Sequence, residues 1–135
     1  MCNRIKIQSF CLMFVVFFTL SPLSVFAGND SSIQGDLRTE IKIAMQTLIE
    51  RNTINNTYRL YDPIKGKLLH LQLVKLHEGI VKKGDYFVSC ADFKDAEGKL
   101  VDLDFLVLKD GTKMIATQAI IHKADGKKRK YHLEG

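Results

Sequence analysis

Hydrophobic residues change their spacing partway along this chain, near residue 56. Between Asp36 and Asn52, Leu37, Ile41, Ala44 and Leu48 recur at the interval of a helix with one buried face. Asp36 stands where a side-chain oxygen can accept from the free amides of the first turn. Ile43 and Met45 fall off the stripe, so either the buried face is broad or a flank of the helix meets another surface. From Thr57 onward the period becomes two, and Asp-Pro, Asp-Gly and other glycine-bearing interruptions mark turns. Strands are expected over 57–61, 68–76, 85–93, 101–108 and 114–122, with a sixth at 130–133 and a loop over 77–84. The fold class is therefore α+β, one N-terminal helix packed on a curved antiparallel meander sheet of 4–6 strands.

Register follows from asking which pairing brings like faces together, because a slip of one residue turns every side chain over. With Gly98 in the left-handed position of a three-residue loop, Asp95 lies opposite Lys99. Phe87, Ser89, Ala91 and Phe93 then face Val107, Phe105, Leu103 and Val101. A similar loop at Lys109-Asp110-Gly111 would add Ile115, Thr117, Ala119 and Ile121, and Leu69, Leu71 and Leu73 would extend the face from the preceding strand.

The same register gathers chemistry on the opposite face. Asp92 falls opposite Asp102 and Cys90 opposite Asp104, with His70 on the neighbouring strand beside Cys90 or Asp92. Facing carboxylates repel unless solvated, paired or partly protonated. Such a patch is either a set of solvated positions or a site for a divalent cation, where oxygen ligands suit a hard ion and His with Cys a softer one. His70 and Cys90 as neighbours would also be a thiol and a base. At the other end of this face Val74, Leu76, Tyr86, Val88, Leu106, Leu108 and Met114 project together. An apolar patch of that kind is covered by another element, pairs in a homodimer, or captures a protein partner or small apolar ligand.

The N-terminus changes how the rest is read. Arg4 and Lys6 precede an apolar run from Phe10 to Leu20, Ser21-Pro22 breaks it, and Val25-Phe26-Ala27 offers small residues for a signal peptidase. The run is shorter than the ~20 residues a spanning helix needs. Residues 1–27 are therefore expected to be a signal peptide cleaved near Ala27, residues 28–35 a flexible leader and residues 36–135 a single domain, secreted or periplasmic. Cleavage leaves 18 basic against 15 acidic side chains, a net charge of +3 that is too mild to argue for nucleic acid. It also removes Cys2 and Cys11, so Cys90 is the one cysteine left, no internal disulfide can form and the domain depends on its core.

Other signals are weaker. Lys127-Lys128-Arg129-Lys130 could protect an edge strand or meet an anionic surface. His77, His122 and His132 show no metal-ligand spacing and read as surface residues. Asn29-Asp30-Ser31 and Asn55-Asn56-Thr57 fit the glycosylation pattern, which has meaning in a eukaryotic source. There is no GxSxG, HExxH or phosphate-binding glycine loop.

One helix followed by an antiparallel meander, over about residues 36–133, resembles the cystatin-like architecture, also used by ligand-binding and enzymatic domains of the nuclear-transport-factor type. Cystatins carry a Gln-x-Val-x-Gly loop; here Gln72-Leu73-Val74-Lys75 is followed by Leu76 and reads as strand, so protease inhibition is not implied. The pattern is also similar to small periplasmic PepSY-type modules, usually taken as regulators or binding domains. Fold likeness does not transfer function. The expectation is a non-enzymatic binding or interaction module, with no required cofactor, using the outer sheet face. The alternative is a metal-dependent protein or enzyme centred on His70, Cys90, Asp92, Asp102 and Asp104.

Overall fold

A computed structural model describes residues 28–131 and residue 133, so the expected signal segment lies outside the described residues. Helix α1 spans Gly35–Arg51 and is followed by seven strands. These are β1 (Thr53–Ile54), β2 (Thr57–Asp62), β3 (Lys67–Lys83), β4 (Tyr86–Lys94), β5 (Leu100–Asp110), β6 (Lys113–Ala124) and β7 (Lys127–Lys128). All pair antiparallel in sequence order, one α+β sheet larger than the 4–6 strands expected. The additions are the two-residue strands β1 and β7, while the expected strand at 130–133 is not formed among the described residues. No helix among the described residues is long and apolar enough to cross a membrane.

The helix buries Ile41, Ala44, Met45, Leu48 and Ile49 over β5 and β6. Met45 is part of the buried face, which is broad on that side, whereas Ile43 is 54% exposed. Asp36 sits inside the first turn and makes no cap; Gln34 occupies the capping position, but its side chain donates back to the Ser31 carbonyl and does not cap the helix. Beneath the helix, Phe93 lies between Tyr58 and Phe105, with ring centroids 5.2 Å and 6.4 Å away. Leu103, Val107, Ala116 and Ile121 complete this layer.

Residues 28–35, expected as a flexible leader, are docked up to the helix, which begins at Gly35. The Asp30 amide donates to the Ile80 carbonyl at 2.7 Å, and Ile33 is buried in the core. The Asn29 side-chain oxygen accepts from Arg38 at 2.9 Å, which ties the segment to the helix.

The β4–β5 hairpin has the expected register. Gly98 has φ of +78°, and Asp95 closes the loop against Lys99, so Phe93 faces Val101 and Cys90 faces Asp104. The β5–β6 hairpin differs: Asp110 pairs with Lys113 around Gly111-Thr112, not around a three-residue loop. That register alone would turn Ala119 and Ile121 outward. An extra residue, Thr117, between the Val107–Ala116 and Leu106–Gln118 pairs restores them, so Ala116 takes the core position expected for Ile115.

Strand β3 is longer than expected and irregular. Residues 67–71 pair with β2, and residues 72–83 pair with β4 through the segment expected as a loop. An extra residue at Val74 leaves Lys75 opposite Asp92 and Leu76 opposite Ala91. Residues 77–79 then stand against the single residue Cys90 before pairing resumes at Ile80–Ser89.

Candidate functional site

The irregularities of β3 and β6 build a polar cluster on the sheet face away from the helix. On β4 and β5, Asp92 pairs with Asp102 and Cys90 with Asp104, as alternation predicts. His70 is not with them. It pairs with Arg59 at the far end of β3 and lines a depression with Asp95, Ala96 and Glu97.

His77 takes the place expected for His70. Counting from Lys75, which faces outward beside Asp92, Leu76 points to the core and His77 outward again. Its Nε2 is 3.0 Å from Asp92 Oδ2, and Lys75 Nζ is 3.8 Å from the same oxygen. The His77 Nε2 contact is out of line for a hydrogen bond, and this atom is buried without a hydrogen-bond partner. The Lys75 ammonium offsets part of the repulsion that faces Asp92 against Asp102.

His122 enters from β6 by a second insertion. Between the Leu103–Ile121 and Asp102–Lys123 pairs it is the additional residue, so His122 and Lys123 project to the same side. Far from being a surface residue, His122 is 4% exposed. Its Nδ1 lies 2.7 Å from Asp104 Oδ1 and 4.0 Å from Asp102 Oδ2. Asp104 is completely buried and accepts from three donors: His122 Nδ1, Cys90 Sγ at 3.1 Å, and the Leu133 amide at 2.7 Å on its other oxygen. Burial pushes the Asp102 carboxyl above the usual carboxylate range; His122 and His77 draw it back, while Asp92 and Asp104 add to the rise.

The expected apolar surface does not form as one patch. Leu76 and Met114 turn inward and pack on the core, because the insertion at Val74 and the Gly111-Thr112 turn shift their registers. Val88 is buried, Tyr86, Leu106 and Leu108 are half-buried, and only Val74 is open, at 48% exposure.

A different apolar concavity lies where the curled sheet brings the β2–β3 turn near β6. It measures about 320 Å³ and is lined by Leu60, Tyr61, Pro63 and Ile64 on one side and Ala119, Ile120 and Ile121 on the other. Arg129 and Tyr131 close its end from the C-terminal segment. Arg129 donates to Asp62 Oδ2 at 2.7 Å, while Asp62 Oδ1 accepts from the Ile64 and Lys65 amides. Tyr61, Ile64 and Tyr131 are exposed at the rim. Arg129 is the one basic side chain that lines the concavity, with its charge paired to Asp62, and Lys127, Lys128 and Lys130 are exposed beside it in sequence.

Sequence reasoning missed His77, His122 and this concavity. The histidines belong to runs that look like a loop and a strand end, and the concavity joins segments some 60 residues apart, such as Lys65 and Asp125, whose side chains pair at 2.7 Å. No family model matches the chain, and no curated protein or solved structure matches it.

Proposed function

We propose that the chain is a secreted or periplasmic, non-enzymatic binding module of cystatin-like outline, and that the concavity between the β2–β3 turn and β6 holds its ligand. The observation that carries this reading is a recess of about 320 Å³, walled by aliphatic side chains, with Arg129 at its end. Ligand sites are concave, mostly apolar and finished by a few polar groups that fix orientation. A small molecule with an aliphatic body and an anionic head fits both features, the body against Ile64 and Ile120 and the head towards Arg129. The basic run, read from sequence as edge protection or an anionic contact, serves the second role here. The signal-like segment 1–27 supports an exported location.

Titration with straight-chain carboxylates of increasing length, followed by the fluorescence of Tyr61 and Tyr131, tests this reading. Affinity is expected to rise with chain length until the recess is filled, and to fall about tenfold or more when Ile64→Asp puts a charge on the wall. Ile64 is exposed, so this variant keeps its fold. Absence of binding for every carboxylate tried, or binding unaffected by Ile64→Asp, would overturn it.

A further inference from the structure

We propose that His77, Cys90 and Asp102 form a binding site for a divalent metal ion of zinc-like, borderline-soft character. This site is separate from the apolar concavity, and either could exist without the other. One ring nitrogen of His77, Cys90 Sγ and one Asp102 oxygen all lie within 4.8 Å of one another, the spacing of atoms that can share one ion after small side-chain rotations. The donor set of one nitrogen, one sulfur and one oxygen suits zinc better than calcium or magnesium, which take oxygen alone.

A second observation points to the same place. Three buried side-chain nitrogen or oxygen atoms among the described residues lack a hydrogen-bond partner, and two of them, His77 Nε2 and Asp102 Oδ1, belong to this triad. Buried polar atoms are almost always satisfied, so two orphans within one such triad call for a partner that the protein chain does not supply. An ion would supply it. Asp92 Oδ2, 3.0 Å from His77 Nε2, adds a further carboxylate oxygen at the edge of the site.

An overlapping triad, Cys90, Asp104 and His122, has equally close atoms. It is already spent on itself: Asp104 takes hydrogen bonds from Cys90 and His122 on one oxygen and from Leu133 on the other. In the metal-free protein it holds the Cys90 thiol in place, and that bond is given up when the thiol ionises. Of the His77 triad, Asp102 borders an open cavity of about 440 Å³ that Asp92, Lys99, Leu100 and Lys123 also line. Three protein ligands beside such an opening leave a coordination position for water. Binding releases the Cys90 thiol proton to solvent, and the resulting thiolate and the Asp102 carboxylate balance the two charges of the ion.

The test uses the purified, reduced, metal-free protein with zinc and with cobalt. One equivalent of zinc is expected to raise the unfolding temperature, and cobalt to give a near-ultraviolet band from thiolate-to-metal charge transfer. His77→Asn and Asp102→Asn should each weaken zinc binding about tenfold or more, while His70→Asn leaves it unchanged. Circular dichroism matching the parent shows that the half-buried His77→Asn variant is folded. Absence of both the stabilisation and the cobalt band overturns the proposal. So does zinc affinity that persists in folded His77→Asn and Asp102→Asn, which would put the ion on the other triad or on the surface.

Discussion

Asp104 Oδ1 sits 2.7 Å from His122 Nδ1 inside the protein, although the residues are 18 apart and belong to different strands. The same oxygen accepts from Cys90, and the second oxygen accepts from the Leu133 amide, so one carboxylate joins β4, β5, β6 and the C-terminal segment. Asp104→Ala would strand three donors at once. The expected loss of stability is about 3–5 kcal/mol, as for other buried networks that lose one charged partner. Equilibrium urea unfolding measures it, and a loss below about 1 kcal/mol would show that the network is dispensable.

Asp62 and Arg129 join the β2–β3 turn to the strand that leaves β7. Because Asp62 also accepts from the Ile64 and Lys65 amides at 3.0 and 3.2 Å, removing it breaks the turn as well as the ion pair. Asp62→Ala should therefore cost more than Arg129→Ala, with a coupling of about 1–3 kcal/mol in a double-mutant cycle. Equal single losses with no coupling would contradict this. Limited proteolysis should cut the C-terminal segment of Arg129→Ala first.

The helix offers a contrast between neighbouring apolar positions. Met45 has no exposed surface and Ile43 is 54% exposed, so Met45→Ala should cost about 2–5 kcal/mol and Ile43→Ala less than about 0.5. Comparable losses at the two positions, measured by thermal unfolding, would mean that the helix is rotated about its axis.

Lys42 supplies a pH-dependent prediction. Its ammonium lies half-buried with Nζ 3.4 Å from Ser89 Oγ. Burial pulls its pKa below the ordinary 10.5; nearby Glu78 opposes that fall, Arg38 adds to it, and Cys90 opposes it. The native state thus releases this proton at lower pH than the unfolded chain. Stability should rise as pH climbs from the lowered folded value to about 10.5, then level. Lys42→Met should remove that rise. The variant is expected to be more stable than the parent at pH 7, by no more than about 1 kcal/mol because solvent still screens the side chain, with the advantage gone above about pH 10.5. Urea unfolding of both proteins from pH 7 to 11 decides it, and a constant difference across that range would exclude Lys42 as the cause.

Local sequence determined a good part of this protein. Apolar spacing in 37–48 specifies a helix because a helix repeats every 3.6 residues, and strict alternation in 85–93 and 101–108 specifies strands with one buried face. Asp95 and Gly98 close a loop by themselves, through short-range hydrogen bonds and a left-handed glycine, so the facing of Asp92 with Asp102 and of Cys90 with Asp104 is legible in the sequence alone. Tertiary structure alone decided which histidines join them. One extra residue at Val74, three residues against Cys90 and one extra residue at His122 each shift the alternation, bringing His77 and His122 in and leaving His70 outside. Gly79 is a local mark of the insertion at 77–79, but no such residue marks those at Val74 and His122, which depend on what packs across the sheet. The apolar concavity has the same origin, since it exists only where the curl of the whole sheet brings Ile64 near Ile120.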